Sequence, residues 1–151
     1  MTDLSPLVAA LKTEEGVRLY AYDDATGAPI GSGSYVQGNP TIGVGTNLGA
    51  GAGITEAEAE YLLSNRIQQA ANDAATLPCF NGLDDVRRLA LIDMVFNMGL
   101  STMQTFTTFL GLLDAGRYAA AAADLKNTLW ARQVGSRATR LETIIATGVW
   151  Q

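Results

Sequence analysis

The chain of 151 residues contains no histidine. Ser-His-Asp and Cys-His hydrolases, His-ligated zinc amidases and HExxH peptidases each lose an essential group by that absence. A hydrolase built on this sequence is left with carboxylates. Cysteine is nearly absent too: Cys79 stands alone, so no intramolecular disulfide forms, and it reads as a small loop residue after Pro78. No apolar run reaches the roughly 20 residues of a membrane span. Basic clusters are missing, with 10 Lys and Arg against 15 Asp and Glu and a net charge of −5. Nucleic-acid binding, which needs cations to neutralise phosphates, is a poor fit. The first residues, MTDLSPLVAALKTEEG, carry Asp3, no early basic residue and only a short apolar core. They do not read as a secretory signal.

The length fits one compact domain, or a small lobe of something larger, and buries enough surface to fold without disulfides or metals. An apolar fraction of 48% with 17% charged residues is that of a folded protein. The acidic excess lies in residues 1–81, with nine acids and three bases, while residues 82–151 carry seven bases and six acids.

Three stretches follow along the chain: 1–54, 55–76 and 77–151. Ser5 to Glu14 has helical spacing, with Ser5 as cap, Pro6 in the first turn, Leu7, Val8 and Leu11 on one face, and Gly16 as the stop. From Arg18 to Thr46, Tyr, Val, Ile and Thr alternate with glycines and turns, which predicts a small antiparallel sheet. A glycine-rich loop, 48–54, leads to Thr55-x-x-Glu58, a capping box opening a helix to about Ala75 whose apolar positions include Leu62, Leu63, Ile67, Ala70 and Ala74. That helix has the length to act as a spine between two lobes. Leu83 to Met98 is apolar nearly all round, which predicts a buried central helix closed by Gly99. Further helices are predicted over 103–113, 117–128 and 137–146, with breaks at Gly116, Gly135 and Gly148. The fold class is α+β, a small N-terminal β lobe and a larger helical lobe, with a cleft between them as the natural site.

Two carboxylates stand out. Glu15 lies where an apolar helix ends, a position expected to be partly desolvated, which would raise its pKa and keep its proton available. Asp24 lies in a polar turn beside Asp23 and Thr26, where it stays ionised. Glycosidic hydrolysis needs that division: an acid for the leaving oxygen and a base or nucleophile opposite it. On spacing alone, solvated surface carboxylates are the commoner reading.

The surrounding residues add a pattern. Glu15-Gly-Val-Arg-Leu19, Tyr22-Asp-Asp24 and Thr41-Ile-Gly-Val-Gly45 resemble the phage-type lysozymes, the muramidase family of the T-even phage endolysins. Leu91-Ile-Asp-Met-Val-Phe-Asn-Met-Gly99 is similar to that family's central helix, Phe106 to a later packing position, and Trp130 to Arg140 and Thr147 to Trp150 to its C-terminal segment, so the resemblance covers nearly the whole chain. It implies a lysozyme-like fold and cleavage of peptidoglycan glycan strands between N-acetylmuramic acid and N-acetylglucosamine. It implies Glu15 as general acid, Asp24 as second carboxylate and Thr41 as a holder of the attacking water, for which a hydroxyl is suited because it donates and accepts. Thr41 is otherwise an ordinary strand threonine. Saccharide contacts are implied for Asn47, Phe96 and Asn97, with Phe96 equally readable as core. Arg137 is implied to pair with the catalytic glutamate, its alternative being a solvated helix-end arginine. No cofactor or metal is implied. A monomeric endolysin is, one that gathers in the host cytoplasm and reaches the wall through holin-made lesions.

The chain departs from the T-even pattern in three places. Sixteen residues separate Asp24 from Thr41, and the extra Gly27–Pro40 segment, with Tyr35, Gln37 and Asn39, is expected to form a longer hairpin. Thr46 stands where the T-even enzymes have histidine, and the loop before the long helix is unusually rich in glycine. Two other readings compete: a lytic transglycosylase, which needs the glutamate alone, and a non-catalytic saccharide-binding or virion module.

Overall fold

The computed structural model describes residues 3–151, so Met1 and Thr2 of the stretch read against a secretory signal lie outside the described residues. It divides into two compact units, Met1–Glu60 and Tyr61–Gln151. The boundary falls one turn into the helix opened by Thr55.

In the first unit, α1 runs over Ser5–Glu14. Ser5 is its first helical residue and not its cap. Leu4 holds the cap position without a side-chain bond, and the Ser5 N–H donates to Asp3 Oδ1 at 2.9 Å. Pro6 falls in the first turn, where its missing N–H costs nothing. Leu7, Val8 and Leu11 are all exposed. Gly16, at φ +73°, turns the chain out of the helix. Strands β1 (Arg18–Asp23), β2 (Pro40–Gly43) and β3 (Thr46–Asn47) then form an antiparallel sheet in the order β1-β2-β3. Tyr22 stands opposite Thr41 and Asp23 opposite Pro40, with an irregularity between Arg18 and Tyr22; Thr41 is in turn opposite Asn47. The β2–β3 turn is made by Gly43-Val44-Gly45, whose two glycines both sit at φ +70°, a region that costs other residues a steric penalty. Arg18 lies 4.2 Å from the Tyr22 ring centre and donates to the Gly27 carbonyl at 2.6 Å.

The long hairpin expected over Gly27–Pro40 is not there. The segment forms one isolated bridge, Tyr22 with Pro29, and bonds of Asp23 N–H to Ala28 O and Ile30 N–H to Ala21 O, both 2.9 Å. Beyond it, Gly31-Ser-Gly-Ser34 has no alternating apolar residues to register a strand pair, and Ser34 closes a local turn on Gly31 instead.

Helix α2 spans Glu56–Ala75, opened by the expected capping box: Thr55 N–H donates to Glu58 Oε2 at 2.8 Å and Glu58 N–H to Thr55 Oγ1 at 3.3 Å. Of its apolar positions, Ala70 and Ala74 are buried, while Leu62, Leu63 and Ile67 stay exposed.

The second unit carries α3 (Asp85–Met98), α4 (Leu100–Met103), α5 (Thr107–Asp114), α6 (Tyr118–Lys126), α7 (Leu129–Val134) and α8 (Ser136–Thr147). Asp84 caps α3 through the Arg87 N–H and Gly99 ends it. Its burial is one-sided and not all-round: Ala90, Leu91, Met94 and Val95 face the core, while Leu89 and Phe96 are exposed. The helix predicted over 103–113 is broken after Met103. There the Thr105 hydroxyl donates to Thr102 O at 2.7 Å, a local bond that competes with the helix. The segment predicted as 117–128 stops at Lys126 because Thr128 caps a separate helix, α7, through the Ala131 N–H. Phe109, Leu91, Met94, Met103, Leu113, Leu125, Leu141, Ile144 and Ile145 are fully buried. Each contributes about 1.5–3 kcal/mol of transfer free energy. Cys79 belongs to this core as well, so its loop placement after Pro78 does not expose it, and burial pushes its thiol pKa up. Among the described residues no helix is long and apolar enough to cross a membrane.

Candidate active site

Glu15 closes α1 as its C-cap, with its N–H on Leu11 O at 2.9 Å. It is exposed, not partly desolvated as its place after an apolar helix suggested, because that helix buries none of its own residues. Its carboxyl lies over the β2–β3 turn: a Cβ built on Gly45 would stand 3.4 Å from Oε2 and 3.7 Å from Cδ. Glycine is needed at position 45 for its φ of +70°, since a Cβ there would meet Glu15 only in ordinary van der Waals contact.

The two adjacent aspartates do different work. Asp23 is buried at 3% exposure, and its carboxylate accepts three backbone N–H groups, from Gln37 (2.8 Å), Gly38 (2.9 Å) and Ala25 (3.0 Å). These bonds, Gln37's foremost, hold its pKa below the usual carboxylate value against the opposing effect of burial. Asp24 is exposed and is held by Asn39, whose N–H reaches Oδ1 at 2.7 Å and whose Nδ2 reaches Oδ2 at 3.1 Å. The backbone and side-chain bonds of Asn39 lower the Asp24 pKa, with the neighbouring Asp23 charge pulling the other way. Asp24 is therefore ionised at neutral pH.

Thr41 is 4% exposed and donates to Asn39 O at 3.2 Å. Asn47, its partner on β3, is exposed and accepts from Gly49 N–H at 2.6 Å. Asp24, Thr41 and Asn47 are thus brought together by the sheet and by Asn39, and Glu15 sits on the same sheet's turn. The sequence reading noted Asn39 only as part of the extra segment. The signal available was Gly38-Asn39-Pro40, a turn sequence leading straight into the strand of Thr41.

The remaining residues lie in the second unit. Phe96 is 41% exposed, so it is not core, and it borders an apolar recess of about 280 Å³ with Leu63, Ile67, Leu89 and Trp150. Asn97 accepts the Trp130 indole N–H at 2.7 Å and opens on a larger recess of about 620 Å³ with Phe106, Thr128 and Gln133. The partner the structure gives Arg137 is Asp93: Nε and Nη2 reach Asp93 Oδ1 at 2.8 and 2.6 Å, and Arg140 takes Oδ2 at 2.6 Å. The sequence reading missed Asp93, whose signal was a single acid inside the apolar run LALIDMVF. Among the described residues no cluster of His, Cys, Asp and Glu has the grouping of a metal site.

Comparison with known proteins agrees with the layout. The family model described as phage lysozyme matches residues 12–143. The chain is 32% identical over 163 residues to probable T4-type lysozyme 2 of Dictyostelium discoideum, covering 96% of both. It is 33% identical over 99 residues to probable T4-type lysozyme 1 of the same organism, 63% of this chain and 58% of that relative. It is also 29% identical over 167 residues to the pre-baseplate central spike protein Gp5 of Enterobacteria phage T4, 97% of this chain but 29% of the spike protein. The α+β layout, the family match and a relative aligned along nearly its whole length show that this chain belongs to the phage lysozyme family of glycoside hydrolases.

Proposed function

We propose that the protein hydrolyses the β-1,4 bond between N-acetylmuramic acid and N-acetylglucosamine in peptidoglycan, with Glu15 as general acid and Asp24, aided by Thr41, activating the water. The observation that carries this reading is the grouping of Asp24 and Thr41 on one residue, Asn39, beside the turn that receives Glu15. Glu15 protonates the leaving glycosidic oxygen. Asp24, kept ionised by its two hydrogen bonds, orients a water and accepts its proton as the water attacks the anomeric carbon. The Thr41 hydroxyl offers that water a second partner. Asn47, Phe96 and Asn97 are the saccharide contacts of this reading.

The test is to digest purified peptidoglycan, reduce the products with borohydride and identify the new ends by mass spectrometry. Reducible muramic acid ends are expected. Anhydro-muramic ends would instead identify a transglycosylase and leave Asp24 and Thr41 without their roles.

Similarity to the spike protein favours a second reading, a module carried within a larger phage assembly. A purely structural module would release no ends from peptidoglycan.

A further inference from the structure

The segment between Asp24 and Thr41 returns to the sheet through Gln37-Gly38-Asn39, and that return is bonded on both sides. Asn39 O accepts from the Asp24 N–H at 3.1 Å and from the Thr41 hydroxyl at 3.2 Å, while the Asn39 N–H and Nδ2 hold the two oxygens of the Asp24 carboxylate. Gly38 packs so closely on Asp24 that a Cβ at position 38 would collide with Oδ1 and stand 2.8 Å from the Ala25 Cβ. On the other side, Asn39 Oδ1 faces Gly49, where a Cβ would lie 3.3 Å away, while its Nδ2 faces Asp24.

We propose that Asn39 is a positioning residue for the hydrolysis, fixing the plane of the Asp24 carboxylate and the place of the Thr41 hydroxyl relative to each other, with Gly38 supplying the space that this requires. The inference rests on the reading of Asp24 and Thr41 as the pair that handles the water. An exposed aspartate otherwise rotates freely about its side-chain torsions, and ordering it is an entropic cost that the reaction would bear at each turnover. One bond to each oxygen fixes the carboxylate plane. It still leaves each oxygen a lone pair for the water, since a carboxylate offers about four acceptor positions.

Rates on solubilised peptidoglycan strands, measured across substrate concentration and pH, test this for four variants alongside Asp24→Asn. Asn39→Ala removes only the Nδ2 bond, so kcat falls about three- to tenfold with KM nearly unchanged, and the acid limb of kcat moves to higher pH. Asn39→Asp keeps the shape but sets a like charge on Asp24, and moves that limb further up. Gly38→Ala displaces the carboxylate and costs about a hundredfold in kcat. Gln37→Ala leaves the profile as it is, because Gln37 contributes a backbone N–H alone. Circular dichroism establishes which variants are folded, and either folded Asn39 variant suffices. A folded Asn39 variant with the parent kcat and acid limb overturns the proposal. With Asp24→Asn inactive, that result refutes the positioning role alone. Parent activity in Asp24→Asn would instead remove the reading of Asp24 on which it rests.

Discussion

The carboxyl of Glu15 lies against Gly45, close enough that a methyl group there would stand 3.4 Å from Oε2. Gly45 also holds φ +70°, where a side chain adds about 1–2 kcal/mol of backbone strain. Gly45→Ala is therefore expected to lower the stability of the sheet by about that amount, with lytic rate falling no further than the stability loss explains, because the added methyl meets Glu15 in ordinary van der Waals contact. Thermal unfolding and wall-clearing rate measured on the same sample check this.

Glu15→Gln keeps the shape of the side chain but removes its transferable proton. The rate of strand cleavage is expected to fall by about a thousandfold or more, while sedimentation with purified walls is unchanged. Substantial cleavage by this variant would take the general-acid role away from Glu15.

Asp23 and Asp24 are neighbours in sequence with separable effects. Asp23→Asn points an amide donor at N–H groups that need an acceptor, so it lowers the melting temperature, by about 2–4 °C if one hydrogen bond's worth is lost. Asp24→Asn lies on the surface, keeps an acceptor for the Asn39 N–H, lowers melting less than Asp23→Asn does and abolishes cleavage. A stable but active Asp24→Asn protein would reverse this assignment.

Both aspartates titrate below the ordinary carboxylate value in the folded chain. Their contribution to stability is complete above the unfolded value of about 3.9 and drains away as pH falls below it through the lower folded value. Melting temperature should thus decline in acid below about pH 4, and the decline should be shallower in Asp23→Asn. An identical slope in both proteins would show that these bonds do not couple folding to pH.

Asn97 accepts the indole N–H of the buried Trp130. Asn97→Ala leaves that donor without its partner at a cost of about 1–3 kcal/mol, readable by urea unfolding. A saccharide role for Asn97 then has to be judged from KM in a folded variant such as Asn97→Gln.

The legible parts of the fold were those written within a few residues. Thr55 and Glu58 form their capping box, and Gly16, Gly99 and Gly148 end their helices at positive φ, because each depends on a local bond or local sterics. The break after Met103 and the separate helix capped by Thr128 were missed, since threonine is also tolerated inside helices and its choice of partner was not visible.

By itself the sequence determined the chemistry at hand: no imidazole, no disulfide, a pair of carboxylates in the phage lysozyme pattern and an α+β order of elements. Tertiary structure alone decided which groups surround them. Asp23 became a buried acceptor of three N–H groups, Asn39 the residue joining Asp24 to Thr41, Arg137 a partner of Asp93, and Glu15 an exposed carboxyl over a glycine. Apart from the Ala25 N–H on Asp23 and the Thr41 hydroxyl on Asn39, each only two residues away, these contacts join positions well separated along the chain. Most of those at the aspartates use backbone N–H donors, which every residue but proline carries and which no side-chain pattern can announce.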